Sequence, residues 1–269
     1  MSVDQRAIES LLAFWALSGV ETLYGETPVN RTAPAPPRKA PPRAAPAAAP
    51  VRRDEPAAAP APASPIADDF VADAHRAAAE AQDLSALKTA IGAFDGCPLK
   101  AGARQAVFSR GPSDAPLMIV GEAPGADEDA QGVPFVGRAG QLLNRMLAAT
   151  GLSDRAFITN TVFWRPPGNR TPTPAEQSVC APFLERAIAL VKPRALLLVG
   201  GASAKAMLKT SEGILALRGQ WVDWRSEDGA LTIPALPTLH PSFLLRQPAA
   251  KRKSWEDMLI LAKALEEKS

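Results

Sequence analysis

Cysteine is almost missing from this 269-residue chain, which has only Cys97 and Cys180. So few thiols exclude a disulfide-stapled scaffold and fit a reducing compartment. Histidine is equally scarce, with His75 and His240 alone. Long apolar runs are lacking too: none approaches the roughly 18 residues that a membrane-spanning helix needs. The apolar patch from Leu11 to Leu17 is short and follows acids rather than a basic cluster, so a secretory signal is not expected. Neither sign of charge dominates, with Lys+Arg 30 against Asp+Glu 28. No internal repeat is visible, and no glycine-rich turn continues into the Gly-Lys-Ser/Thr of a phosphate-binding loop. Hydrophobic residues make up 46% of the chain, enough for a sizeable core.

What is present is unevenly distributed. Residues 84–269 carry 22 basic and 17 acidic side chains, 22 − 17 = +5, which is compatible with a polyanionic partner without requiring one. Proline supplies 11 of the 36 residues in 31–66, and alanine most of the rest. Such a segment cannot bury enough apolar surface to offset its ordering entropy, so it reads as a disordered Pro/Ala-rich tether. Before it, Ile8, Leu11, Leu12 and Trp15 recur at helical spacing, predicting a short N-terminal helix over 3–24 within a segment 1–30. A second helical stretch is expected at about 67–92. From about 94 onward β and α patterns alternate. The strand candidates are Leu117–Val120, Phe157–Val162, Ala195–Val199 and Ile233–Leu239, and the helices 140–150, 174–191, 203–209 and 251–267. This alternation predicts a three-layer α/β/α fold with a central, mainly parallel sheet over 67–269 (core about 94–265). Ligands in such sheets sit beyond the carboxyl ends of the strands, and each candidate strand here ends in a polar, Gly- or Pro-rich segment.

Those four segments hold the candidate chemistry. In "GEAPGADEDAQGVPFVG", 121–137, glycines let backbone amides approach a ligand, and Glu122, Asp127, Glu128 and Asp129 crowd a turn. A solvated loop whose acids do nothing is the competing reading. Phe135, between Pro134 and Val136-Gly137, suits either a stacking platform for a planar ligand or a staple onto the core. Asn160 ends a strand and carries donor and acceptor side by side, as reading a base edge requires; turn formation is its commoner use. "WRPPGNR", 164–170, is a stiff loop flanked by Arg165 and Arg170. "LVGGASAKAML", 198–208, places Gly200-Gly201 before a helix, an anion site or simply close packing. "LPTLHPSFLLR", 236–246, sets His240 at a strand end before a proline. Leu244 and Leu245 beside Arg246 suit a wedge in a base stack with a phosphate contact. His75, in an acidic helix, looks incidental.

Together, "GEAPGADEDAQGVPFVGRAGQLLNRML", "ITNTVFWRPPGNRTPTPAE", "LLLVGGASAKAML" and "TLHPSFLLR" resemble, in this order, the type-four uracil-DNA glycosylases of bacteria and archaea, over about 95–265. The resemblance implies a monofunctional hydrolase of base excision repair. Such an enzyme takes a flipped uracil out of single- or double-stranded DNA and leaves an abasic site. It implies that Phe135 stacks on uracil beside Gly121, that Asn160 reads the amide edge, and that His240 hydrogen-bonds the oxygen on which charge grows. Glu122 would orient the water, with Asn169 near it. Gly200, Gly201, Ser242, Leu244, Leu245 and Arg246 would grip DNA. The expected setting is the cytoplasm, at the bacterial nucleoid, and the expected state a monomer.

The resemblance departs at the metal. The type-four enzymes hold a 4Fe-4S cluster on four cysteines; here Cys97 and Cys180 match two, while Phe94 and Trp164 stand at the others. Two thiolates do not supply four ligands, so the expectation is no cofactor and no metal, with the aromatics filling that space. A related group links covalently to DNA through a histidine in a basic insertion, and no such insertion follows Asn169. Two rivals remain open: a glycosylase of the same fold with other or wider base preference (hypoxanthine, mispaired thymine), and a non-catalytic nucleic-acid-binding module. The N-terminal helix is a weak candidate for docking a repair or replication protein.

Overall fold

The computed structural model describes residues 68–266, so the expected N-terminal helix and tether lie outside the described residues. Five strands form one sheet in the order β2-β1-β3-β5-β4: β1 (Leu117–Gly121), β2 (Ala156–Asn160), β3 (Ala195–Val199), β4 (Val222–Arg225) and β5 (Thr232–Thr238). The pairs β1–β2, β1–β3 and β3–β5 are parallel, and β4 is antiparallel to β5. Strands β1, β2 and β3 are buried at every position, as expected for a sheet covered on both faces.

Alternation along each strand divides the core in two. Met118, Val120, Phe157, Leu196 and Leu198 point toward α1 (Asp68–Glu80), α2 (Leu84–Ala93) and α5 (Pro174–Val191). Leu117, Ile119, Ile158, Leu197 and Leu236 point toward α4 (Arg138–Ala149) and α9 (Lys251–Glu266), meeting Leu143, Leu147, Met258, Leu261 and Leu265. The remaining helices are short: α3 (Ala126–Gln131), α6 (Gly201–Leu208), α7 (Ile214–Leu217) and α8 (Pro241–Arg246). The layered fold is as expected from the alternation of elements.

Several details differ from the sequence reading. The helix expected at 67–92 is two, because Asp83 takes an extended conformation and accepts a hydrogen bond from Ala86 N at 2.8 Å, restarting the helix as an N-cap. Strand β2 ends at Asn160 rather than Val162. Helix α6 begins at Gly201, two residues ahead of the expected Ser203. Strand β4 has no apolar run: only Trp224 of its four residues is buried, and its pairing with β5 alone makes it a strand. Helix α3 lies within the acidic loop, where its acids occupy the first turn beside unpaired amides.

Candidate active site

Parallel strands deliver their carboxyl ends to one edge, and the four quoted segments meet there. Glu122, Ala123, Pro124, Gly125, Glu128 and Phe135 from the first segment line a cavity of about 250 Å³ with Asn160, Asn169, Arg170, His240 and Ser242. Residues more than a hundred positions apart in sequence thus face one space. A larger groove of about 710 Å³ runs between α1, α5, α6 and β4, but it contains none of the predicted base-recognition residues.

The floor is built by close approach. A Cβ at Gly121 would lie 2.4 Å from Asn160 Oδ1 and 2.6 Å from Phe135 Cζ, so only glycine lets the ring and the amide converge on the end of β1. Phe135 is buried and sits at φ 57°, a left-handed conformation that costs a bulky residue energy and is retained where surrounding contacts impose it. The Glu128 carboxylate imposes it in part. It accepts hydrogen bonds from Gly125 N at 3.1 Å, Val136 N at 3.0 Å and Gly137 N at 2.9 Å, so one side chain ties the Glu122 turn to the Phe135 turn. Across the edge, Thr161 Oγ1 donates to the Glu122 carbonyl at 2.7 Å. Sequence reasoning grouped Glu128 with three other loop acids; its spacing of three from Gly125, a helix-start pattern, was the available signal.

The opposite wall is His240. Its ring centroid lies 6.0 Å from that of Phe135, tilted by 32°. The residue caps α8: Ser242 N donates to Nδ1 at 3.1 Å, and Ser242 Oγ is 2.7 Å from the same nitrogen. An Nδ1 that accepts from a backbone amide leaves the ring proton on Nε2. Burial, and secondarily the positive charge of Arg246, pulls the imidazole from its ordinary 6.5 down to about 4. His240 is therefore a neutral hydrogen-bond donor near pH 7. Gly200, at φ 98°, lets the ring pack: a Cβ there would stand 3.0 Å from His240 Cβ.

The third wall is the loop after β2. Asn169, also left-handed at φ 55°, accepts from Arg165 Nε at 2.7 Å. Arg170 grips Glu176 bidentately, at 2.8 and 2.6 Å, while Glu176 closes a capping box with Thr173 at the start of α5. Burial alone would raise the Glu176 carboxyl, but Arg170 and the Thr173 amide outweigh it and hold it below its ordinary value.

Two predicted contact residues belong elsewhere. Leu244 is fully buried, packed where α8 meets the core, whereas Leu245 is 37% exposed; the helical turn points the first inward and the second out. Gly200 is likewise buried beneath His240, while Ser242 lines the cavity and Arg246 is exposed. In the core beneath α5, Cys97 and Cys180 are buried with their sulfurs 4.0 Å apart. Trp164 is buried against Phe163, and Phe94 and Phe163 each pack edge-on against Phe183. Burial pushes the Cys180 thiol up. Among the described residues no group of three or more His, Cys, Asp or Glu stands together as metal ligands.

A mainly parallel α/β sheet, with a base-sized cavity at its carboxyl edge walled by a phenyl ring, an amide and a neutral imidazole, defines a nucleobase-handling protein. Residues 108–259 match the Uracil DNA glycosylase superfamily, and the chain belongs to that superfamily. It is similar to the Type-4 uracil-DNA glycosylase of Pyrobaculum aerophilum, 39% identical over 183 residues, 66% of this chain and 92% of that protein. The Type-4 uracil-DNA glycosylase of Thermotoga maritima is 38% identical over 152 residues, 56% of this chain and 77% of that protein. That of Saccharolobus solfataricus is 36% identical over 178 residues, 64% of this chain and 82% of that protein.

Proposed function

We infer that this protein is a uracil-DNA glycosylase of DNA repair, hydrolysing the N-glycosidic bond of deaminated cytosine in DNA. The observation that carries the residue-level reading is the convergence of Phe135, Asn160 and His240 on one 250 Å³ cavity. A flipped uracil stacks on Phe135. The Asn160 amide donates to one ring carbonyl and accepts from the ring N–H, a pattern that cytosine does not offer. As the bond between C1′ and N1 breaks, its electron pair stays on the base. The Nε2 proton of neutral His240 then meets the uracil oxygen on which that charge grows. A neutral donor suits this task, because it hydrogen-bonds the anion and keeps its own proton. Glu122, its carbonyl held by Thr161, orients the water whose oxygen bonds to C1′ and takes up the water proton. Asn169 lines the same cavity and assists there. Leu245 fills the space left in the stack, and Arg246 meets the backbone.

Incubation with oligonucleotides carrying uracil, hypoxanthine or a T·G mispair, followed by alkali, tests this. Breaks at uracil alone are expected. Breaks at the other bases would widen the specificity, and tight binding without breaks would overturn the catalytic reading.

We also propose that the protein works without the iron–sulfur cluster that its resemblance to the type-four enzymes implies. Two thiols 4.0 Å apart, with Phe94 and Trp164 at the remaining positions, do not form a four-thiolate cage. Iron near about four atoms per anaerobically purified chain would overturn this. The protein acts as a cytoplasmic monomer, and residues 3–24 dock a repair or replication partner; unchanged pulldown partners after deletion of residues 1–66 would remove that role.

A further inference from the structure

Past the wedge helix the chain carries a run of cations that recognition of the base does not use. Between 241 and 256 the charged residues are Arg246, Lys251, Arg252, Lys253 and Glu256, 4 − 1 = +3. Arg246, Lys251, Arg252 and Lys253 are all exposed. The single acid is already engaged: Glu256 lies 3.4 Å from Arg252 and 3.8 Å from Arg218. Trp255, 38% exposed, opens an apolar strip beside them.

The fold fixes where this run lies. Thr238, two residues before His240, donates to the buried Asp257 carboxylate at 2.7 Å, and its hydroxyl is 3.4 Å from that of Ser254. Arg218 bonds Asp257 and also donates to the Lys253 carbonyl. The first turn of α9 is therefore bolted to the carboxyl end of β5, at the edge that holds the cavity. The other end of α9 lies at the opposite edge, where Arg155 and Arg194, which precede β2 and β3, donate to the Leu265 carbonyl. Helix α9 thus presents its basic turn on the same edge as Leu245.

We propose that Lys251, Arg252 and Lys253, flanked by Trp255, form a second grip on the DNA backbone, past the wedge helix from the flipped nucleotide. The proposal rests on the glycosylase reading for the position of DNA at Leu245. Arg246 ends α8, and Gln247 with the turn Pro248–Ala250 lies between it and Lys251, so the grip meets phosphates beyond those beside the flipped nucleotide. These cations read no base; they set register and affinity. The exposed indole lies where it can cover a deoxyribose face.

The test is a triple variant of the full chain, Lys251→Ala/Arg252→Ala/Lys253→Ala. Binding is read on a long duplex carrying a non-cleavable 2′-fluoro-deoxyuridine, excision on the matching uracil duplex and on an oligonucleotide with one nucleotide on either side of uracil. Each lost phosphate contact flattens the log K against log salt slope by about 0.9, so a flattening of about two to three is expected. KM on the long duplex should rise about tenfold or more with kcat unchanged, and the minimal substrate should not distinguish the two proteins. The corresponding Lys→Arg variants should keep the wild-type slope. An unchanged slope, as when this face serves a protein partner instead, overturns the proposal, and so does an equal loss on the minimal substrate. Because the slope comes from binding alone, absence of excision by both proteins would count against the glycosylase reading and leave the slope to decide the grip.

Discussion

At the scale of single residues, the proposed function rests on three side chains that the backbone brings together at a cost. Phe135 is buried in the core and its ring also lines the cavity, in a left-handed conformation that the folded surroundings impose. Asn160→Ala and His240→Ala are each expected to slow excision at least about tenfold while leaving DNA affinity nearly intact. Each removes a contact of about 1–3 kcal/mol made at the base rather than at the backbone. Single-turnover rates and binding titrations check this, and wild-type rates in both variants would remove the assignments. The lowered His240 pKa sets a pH dependence. The imidazole stays neutral as pH falls through 6.5, so the acid limb of the excision rate should lie near about 4. The same shift acts on stability. Between 6.5 and about 4 the unfolded chain binds a proton that the folded one refuses, so stability falls as pH falls through that window. His240→Gln should remove that part of the dependence in pH-resolved denaturation. The position of His240 beside a proline at a strand end was legible. Its neutrality was not, since it depends on burial and on Arg246.

At the scale of elements, helix caps and turns do the positioning. Glu128 shows the limit of reading a loop as a list of charges: among four acids it alone reaches back to three backbone amides and joins two turns. Glu128→Ala would strand those amides, each at about 1–3 kcal/mol if buried. The expected result is a drop of tenfold or more in kcat together with loss of thermal stability, while Glu128→Gln recovers only part of both. Trp164, at a position where the resemblance implies a cluster ligand, is buried against Phe163 at the start of the Asn169 loop. Trp164→Ala should cost about 3–5 kcal/mol in denaturant unfolding. Short elements were the least legible: β4 and α3 lack periodic apolar residues, and one exists through pairing and the other through capping.

At the scale of the whole molecule, parallel strands share one carboxyl edge, so loops distant in sequence meet without long-range signals of their own. The Arg170–Glu176 pair adds stability that is present above the ordinary carboxylate pKa of 4.5 and lost as pH falls through the lowered one, so Glu176→Gln should blunt acid unfolding. The sequence by itself determined the alternation of strands and helices, the two-faced burial of the sheet, and the residue types at each strand end. Hydrophobic period and turn chemistry are local and survive in one dimension. Tertiary structure alone decided that Leu245 rather than Leu244 faces outward, that Glu128 clamps two turns, that His240 is neutral, and that the basic turn of α9 shares the cavity's edge. Each of these depends on which distant atoms exclude water or supply a partner, and no local pattern encodes that.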